Sequence, residues 1–429
     1  MPPEEDHPQR YPMVAELHAR PFPKISVPSH VVYLAVKEPV EAAARPREAD
    51  FAHLCDLLGR HGAPQPPLGA THHADGIGRY QLSWESHTEF VSYLAQCDGV
   101  SSRPFDPAET AVFPDDWLRA APGKRLVAVH IRIEDMPEDP AQVTRLVDDW
   151  FVPENLVCTW VVDEDIILAG DFRIDPAGQM RFALFVRPGT GPGRVGRVVQ
   201  RICDLEAYRA MSMLGLSRAR DLTGRLNSLD PALSALIASM RDADTAPELV
   251  LNELLDISYE LETLAMRLSF RFGATRAYAA LVRERVEILR ETRFEGRQKL
   301  GEFILRRYDP AIRTVFAAEG RLNAMLERAS RAAELLRTRV DVDRSAQNQK
   351  VLENMDRRSD LQLRLQHTVE GLSVVAISYY AVSLCGYLVY PLARELGVSK
   401  EMMIAGLTPL VVLAVWLMIR RIKRGMGAH

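Results

Sequence analysis

The 429-residue chain lacks the markers of several large protein classes. Its five cysteines contain no CxxC pair, and one would be left over from any complete pairing. We therefore expect a reducing compartment, with no disulfide framework and no zinc ribbon. These cysteines are Cys55, Cys97, Cys158, Cys203 and Cys385. A basic excess is also missing: the net charge is −4, which argues against a nucleic-acid partner because phosphate neutralisation needs a basic face.

Local catalytic motifs are absent too. The sequence has no GxSxG elbow, no GxxxxGK(S/T) loop and no HExxH helix, so it supports no named reaction and predicts no resident cofactor. An enzyme stays open as an alternative, because a site assembled from distant residues leaves no local trace.

A secretory signal is not found at the acidic, proline-rich start of the chain, Met-Pro-Pro-Glu-Glu-Asp-His. Arginine supplies 46 of the 53 basic residues, a bias typical of a GC-rich genome. We therefore expect a bacterial protein whose larger part stays in the cytosol.

Two long uncharged runs lie near the carboxyl end. The first, 371–393, has 23 residues and reaches about 34 Å as a helix, and the second, 402–419, has 18 residues and reaches about 27 Å. Because the hydrocarbon core of a bilayer is about 30 Å thick, residues 370–419 are predicted to form a two-helix transmembrane hairpin. The alternative is a pair of buried helices in a soluble bundle.

Basic residues set the expected orientation of this hairpin. The second run is followed by a tail, 420–429, with four basic residues and no acid: Arg420, Arg421, Lys423 and Arg424. Arg357, Arg358 and Arg364 precede the first run. By the positive-inside rule, both termini should face the cytoplasm of a bacterial inner membrane.

Small and hydroxylated residues recur along one face of the first run, at steps of three and four. They are Ser373, Ala376, Tyr380, Ser383, Tyr387 and Tyr390. Such residues mark helix contacts in bilayers, because they allow close approach and hydrogen bonding between helices. The stripe predicts packing within the hairpin or in a homo-oligomer, or the lining of a polar pore.

The remaining chain predicts an α+β head and a long helical stalk. We place an N-terminal α/β subdomain at 1–110, a second α+β subdomain at 111–195, and a helical region at 196–369. Alternation over 126–133 predicts a half-buried strand, and the runs 157–162, 166–174 and 180–186 predict an antiparallel meander.

Apolar residues spaced by three and four over 315–336 predict a seam of coiled-coil type. Prolines predict helix starts near Pro231, Pro247 and Pro310, and a break is expected at 340–345.

The segment from Gly191 to Gly196 matches GxGxxG through Gly191, Gly193 and Gly196. It follows a predicted strand and precedes a predicted helix, so its backbone N–H groups could hold a phosphate with help from Arg194. A plain Gly/Pro turn is the favoured interpretation, because no second parallel strand follows and no acidic residue closes one about twenty residues on.

Histidines and carboxylates gather in the first subdomain, at His72, His73, Glu85, His87 and Glu89. If 84–90 is a strand, Glu85, His87 and Glu89 share one face and could bind a divalent cation. The alternative is a solvated strand face.

Four motifs resemble those of a bacterial family of uncharacterised membrane-anchored proteins. They are Glu16–Phe22 (ELHARPF), Trp84–Phe90 (WESHTEF), Asp204–Arg209 (DLEAYR) and Thr368–Tyr380 (TVEGLSVVAISYY). The resemblance spans nearly the whole chain and implies membrane attachment, but no activity.

A looser likeness, in architecture, is to the CorA-type divalent-cation channels. It implies an α/β head, long helices leading into the first span, a short outer loop and a basic tail. The Gly-Met-Asn signature of those channels is replaced here by Tyr387–Leu392.

The leading hypothesis is an oligomeric inner-membrane protein that binds or scaffolds something through its cytosolic head. The alternatives are a CorA-like channel or transporter, and a nucleotide- or metal-dependent enzyme.

Overall fold

The computed structural model describes residues 6–11, 13–14, 21–39, 45–240, 247–395 and 399–426. The chain divides into two compact units. One comprises Met1–Ala243 and Asn252–Ala332, and is called the head below. The other comprises Asp244–Leu251 and Ala333–His429.

The head is built on one nine-stranded sheet with the order β2-β3-β4-β1-β5-β8-β7-β6-β9. All neighbouring strands pair antiparallel except β5 and β8, which are parallel. The strands are β1 Ser29–Lys37, β2 His72–Ile77, β3 Tyr80–Ser86, β4 Val91–Asp98, β5 Lys124–Asp135, β6 Val157–Val161, β7 Ile166–Ile174, β8 Met180–Val186 and β9 Thr292–Arg293. The predicted meander is confirmed as β6-β7-β8.

Helices cover both faces of this sheet. On one face lie α1 (Arg47–Arg60), α2 (Asp115–Arg119) and α3 (Pro140–Trp150), which pack on it through two apolar clusters. The other face carries a larger cluster shared with α4 (Pro192–Ser239), α5 (Pro247–Ile288) and the start of α6 (Leu300–Glu395). The sheet is therefore the middle layer of three.

Strand β5 differs from its prediction as a half-buried strand. Its apolar residues do share one face, but His130 and Arg132 on the other face are also buried, at 1% and 5% exposure. The reason is that β5 lies at the centre of the sheet with helices on both sides. The alternation in β5 therefore separates two buried faces of the sheet, one apolar and one that includes polar residues, and not a buried face from an exposed one.

The predicted boundary between 1–110 and 111–195 does not separate two sheets. Strand β1, from the first segment, pairs with β5, from the second, over nine residue pairs starting at Ser29↔Ile133. Both segments belong to the head, because long-range pairing outweighs the local interruption by proline and glycine.

Three helices account for most of 192–395. The helix starts predicted at Pro231 and Pro310 are wrong, because the helices run through both prolines. Pro231 lies inside α4, and Pro310 lies inside α6. An interior proline costs about 3 kcal/mol in an isolated helix. Here the flanking turns are buried, as Leu229 and Leu233 illustrate, and this packing outweighs the cost. Within the described residues α5 begins at Pro247, the position predicted for a helix start.

The predicted break at 340–345 is also wrong, since α6 runs unbroken from Leu300 to Glu395. This segment contains neither glycine nor proline, so only its loss of apolar periodicity suggested a break. The seam residues Val315, Leu322 and Ala329 are buried. Beside them, Arg321 and Arg328 of α6 form ion pairs with Asp230 of α4, so in the head the seam packs against the chain's own helices.

Helix α7, Lys400–Met426, follows α6 after a short connection. The predicted spans fall within α6 and α7, and both helices are long and apolar enough to cross a membrane. Mean hydropathy over 18 residues reaches 1.8 in α6 and 2.4 in α7, and few side chains in these windows are buried.

Candidate functional site

The two apolar helices contact each other near Gly386 of α6 and Ile404 of α7. Gly386 of α6 lies against Ile404 of α7, where an added Cβ would be 4.0 Å from the Ile404 Cγ1 atom. Ser378 is 6% exposed. Ser378 is two residues from both Ala376 and Tyr380. Its side chain therefore lies about 200° around the helix from theirs, off the predicted stripe.

The stripe stays largely on the surface of a single chain. Tyr380 and Tyr387 are 70% and 79% exposed, Ser373 and Ala376 are exposed, and Ser383 is half-buried. The side chain of Tyr390 lies outside the described residues, as do those of Lys423 and Arg424. Arg420 and Arg421 are exposed near the end of α7.

This stripe continues, in the same register, through the preceding part of α6. Steps of three and four reach back from Ser373 through Val369, Gln366, Gln362, Ser359, Met355, Leu352, Asn348 and Ser345. None of these residues is charged, although the acids and arginines of this segment lie on its other faces, and all are exposed in a single chain. We call the positions from Ser345 to Tyr390 the uncharged seam. The spacing of apolar residues does not reveal this seam, because half of its members are serine, asparagine or glutamine.

The glycine-rich segment forms the start of α4, but its geometry does not favour a phosphate. Arg194 forms ion pairs with Asp163 and Asp165, at 3.2 and 2.6 Å, and donates a 2.8 Å hydrogen bond to the carbonyl of Val162. Two carboxylates therefore already lie near this helix N-terminus, where they complement its dipole.

The three glycines of this segment have different surroundings. An added Cβ at Gly191 would meet nothing within 4 Å, and one at Gly193 only the Arg197 guanidinium. At Gly196 it would collide with the backbone carbonyl of Pro23. The last glycine is therefore required for packing of α4 against residues 23–24.

The histidine and carboxylate residues do not share one strand. Strand β3 ends at Ser86, so His87 and Glu89 lie in the turn before β4, and the premise that 84–90 is a single strand is wrong. His72 pairs with Glu85 across β2 and β3. The His87 Nε2 atom lies 3.6 Å from the Glu85 carboxylate and 3.1 Å from the Ser92 hydroxyl.

Glu89 has a different environment, because it is 1% exposed and forms an ion pair with Arg271 of α5. His73 follows His72 in β2, so the two side chains point to opposite faces. Within the described residues, no group of three or more His, Cys, Asp or Glu side chains is arranged to hold a metal ion.

A buried polar cluster that the sequence analysis missed lies on the sheet face that carries α1, α2 and α3. His30 of β1 and His130 of β5 flank Glu109, which belongs to a short 3₁₀ turn, Pro107–Thr110. The His130 Nε2 atom is 3.0 Å from the Glu109 carboxylate, which also accepts a 2.6 Å hydrogen bond from the N–H of Ser101. His30 Nδ1 lies 2.9 Å from the carbonyl of Gly99. These residues are too far apart in sequence to form a motif; only the β1–β5 pairing brings them together.

This cluster predicts a loss of stability in acid. Burial lowers the pKa of His30. Burial alone would raise the pKa of Glu109, but the adjacent His130 imidazole and the hydrogen bond from the Ser101 N–H outweigh it, and that pKa is lowered. Each lowered pKa stabilises the folded state fully above the pKa of the same group in the unfolded chain, near 6.5 for His30 and 4.5 for Glu109. This stabilisation is lost as the pH falls. We expect the free energy of unfolding to decline below about pH 6.5. His30→Gln should flatten the upper part of this decline in urea titrations; an unchanged slope would contradict it.

Together these elements define a mixed α+β protein with a nine-stranded sheet and long helices, two of them long and apolar enough to cross a membrane. The chain belongs to the family described as protein of unknown function (DUF3422), whose model matches residues 5–426. No curated protein and no solved structure matches it.

Proposed function

We propose that this protein is an integral protein of a bacterial inner membrane, anchored by α6 and α7, whose copies associate through the uncharged seam and hold their heads in the cytoplasm as a binding or scaffolding platform. The supporting observation is the seam itself, which keeps one heptad register from Ser345 through the first apolar segment. Large apolar side chains such as Leu372, Leu388 and Leu410 are 66–70% exposed in a single chain, and lipid would cover them.

The occupant that best fits the seam is a second copy in parallel register. Two copies inserted with the same topology cannot run antiparallel, so identical residues meet in layers. Leu352 and Met355 would supply apolar layers, and Gln362 and Gln366 would supply polar layers that fix the register, as buried polar residues do in coiled coils. Inside the bilayer, the hydroxyls of Ser373 and Ser383 would face another helix rather than lipid.

Cysteine cross-linking in membranes tests this association. In a full-length Cys55→Ser/Cys385→Ser background, Met355→Cys and Gln362→Cys should give disulfide-linked dimers after mild oxidation. Asp360→Cys is the matched control, because it is exposed but lies about 200° from Gln362 around the helix. Equal cross-linking at 360 and 362, or none at either seam position, would contradict the proposal. Release of the protein by alkaline carbonate would contradict the membrane anchor.

The second candidate function is a CorA-like divalent-cation channel. It is favoured by one observation, the line of hydroxyl groups in the apolar part of the seam, which would surround the axis of a ring of several copies. A ring-sized oligomer in light scattering, together with magnesium entry into proteoliposomes that Ser383→Leu reduces, would support it. A dimer without flux would exclude it.

A further inference from the structure

A cleft in the head lies between α4, the first turns of α6 and the irregular part of β7. It measures about 310 Å³, at the lower end of the range for small-molecule sites. Most of its wall is apolar, with two arginines at its edge. The residues that matter here are Phe172, Arg209, Met213, Phe303, Ile304 and Arg307.

The charges around this cleft leave one cation without an acidic partner. Asp171 is fully buried, accepts hydrogen bonds from the N–H groups of Val152 and Arg173, and lies 3.5 Å from the Arg181 guanidinium. Arg209 is paired with Glu206 at 2.6 Å. Arg307, by contrast, forms no ion pair within the described residues.

The contacts of Arg307 hold its guanidinium at the cleft without neutralising it. It donates a 3.2 Å hydrogen bond to the side-chain oxygen of Asn155, and it lies 4.0 Å above the centre of the Phe303 ring. A neutral amide and an aromatic face both orient an arginine, but neither removes its charge. The electrostatics of the cleft therefore favour an anion.

The backbone of β7 is distorted where it meets the cleft. Its pairing with β8 shifts register between Gly170 and Ile174, and Phe172 has a φ of +56°. A bulky residue rarely adopts this strained conformation, and such strained residues are concentrated at functional sites. The distortion stacks the Phe172 ring on Phe303, at 4.6 Å and 19°, so both rings form part of the cleft wall.

We propose that this cleft binds an organic anion with one carboxylate or phosphate group and an apolar body about the size of one aromatic ring. The anionic group pairs with the guanidinium of Arg307. The apolar body occupies the space against Met213, Ile304 and Phe172. Arg307 and Ile304 lie in the first turns of α6, so the ligand would bind at the head end of the helix that contains the first apolar segment.

Calorimetric titration of the full-length protein in mild detergent tests the site, with phenyl phosphate as the probe. We expect saturable binding that Arg307→Gln weakens at least tenfold, since charge-assisted hydrogen bonds contribute this much. Arg306→Gln is the matched control, because Arg306 is exposed and adjacent but does not line the cleft. Met213→Trp should also weaken binding, because it fills the cleft without changing its charge.

Two further ligands separate the contributions of charge and apolar body. Benzyl alcohol has the body without the charge, and inorganic phosphate has the charge without the body, so both should bind at least tenfold more weakly than phenyl phosphate. The proposal is overturned if phenyl phosphate does not saturate, if Arg307→Gln and Arg306→Gln behave alike, or if inorganic phosphate binds as tightly as phenyl phosphate.

Discussion

Replacing Gly196 by alanine is expected to lower the free energy of unfolding by about 3 kcal/mol. The added Cβ would lie 2.7 Å from the carbonyl carbon of Pro23 and closer still to its oxygen. Overpacking costs about 1–3 kcal/mol, and the upper end applies because a backbone carbonyl cannot rotate away as a side chain can. A hydrogen bond from the Ile25 N–H to the Pro192 carbonyl, at 3.2 Å, holds the two segments together.

Gly193→Ala is the matched control for this substitution. Its Cβ would meet only the Arg197 guanidinium, at 3.7 Å. Because alanine lowers the conformational entropy of the unfolded chain, we expect the free energy of unfolding to rise by up to about 1 kcal/mol. Urea denaturation of the full-length protein in detergent, followed by tryptophan fluorescence, measures both. A phosphate loop predicts the opposite pattern: similar stability for the two variants, with both losing a phosphate-dependent increase in stability.

This segment illustrates how far the sequence could predict the structure. The GxGxxG spacing correctly indicated a turn that leads into a helix, and α4 begins at Pro192. The sequence could not show that residues 23–24 lie against Gly196, about 170 positions away. The sequence therefore could not show whether the missing side chain of Gly196 leaves room for a ligand or for another part of the backbone.

Local patterns predicted the elements better than their arrangement. The meander strands β6, β7 and β8 match the predicted runs to within one residue. The single sheet was missed because β1 joins β4 and β5 through pairs that no local pattern encodes. The cleft beside Arg307 and the cluster of His30, Glu109 and His130 were missed for the same reason, because each combines distant segments of the chain.

The helical region shows a different limit. Pro231 and Pro310 predicted breaks because proline disfavours a helix interior, but tertiary packing of the flanking turns outweighs that local preference. The uncharged seam is a case in which the sequence does contain the signal. The signal is an unbroken line of uncharged residues, and a search for apolar residues does not find it.

The ion pair between Glu89 and Arg271 is the second contact whose loss should strongly destabilise the head. Arg271→Met should lower the free energy of unfolding by about 3–5 kcal/mol, because it leaves a carboxylate buried without its counter-charge. Glu89 is 1% exposed in the turn between β3 and β4, and Arg271 also donates a 3.4 Å hydrogen bond to the carbonyl of Met211. The matched control is Arg276→Met, five residues along α5, whose pair with Glu319 is exposed on the arginine side; we expect a loss below about 1 kcal/mol.

A double-mutant cycle decides whether the loss belongs to the pair. Glu89→Leu/Arg271→Met removes both charges, and because apolar replacements of buried pairs are often neutral, it should return stability to within about 1 kcal/mol of the parent protein. Additive losses would instead mean that each residue acts through other contacts. If Glu89 were a metal ligand, Arg271→Met would free its carboxylate, and added divalent cation would restore stability. The buried pair predicts no such rescue, because Glu89 faces α5 rather than the histidines of β2.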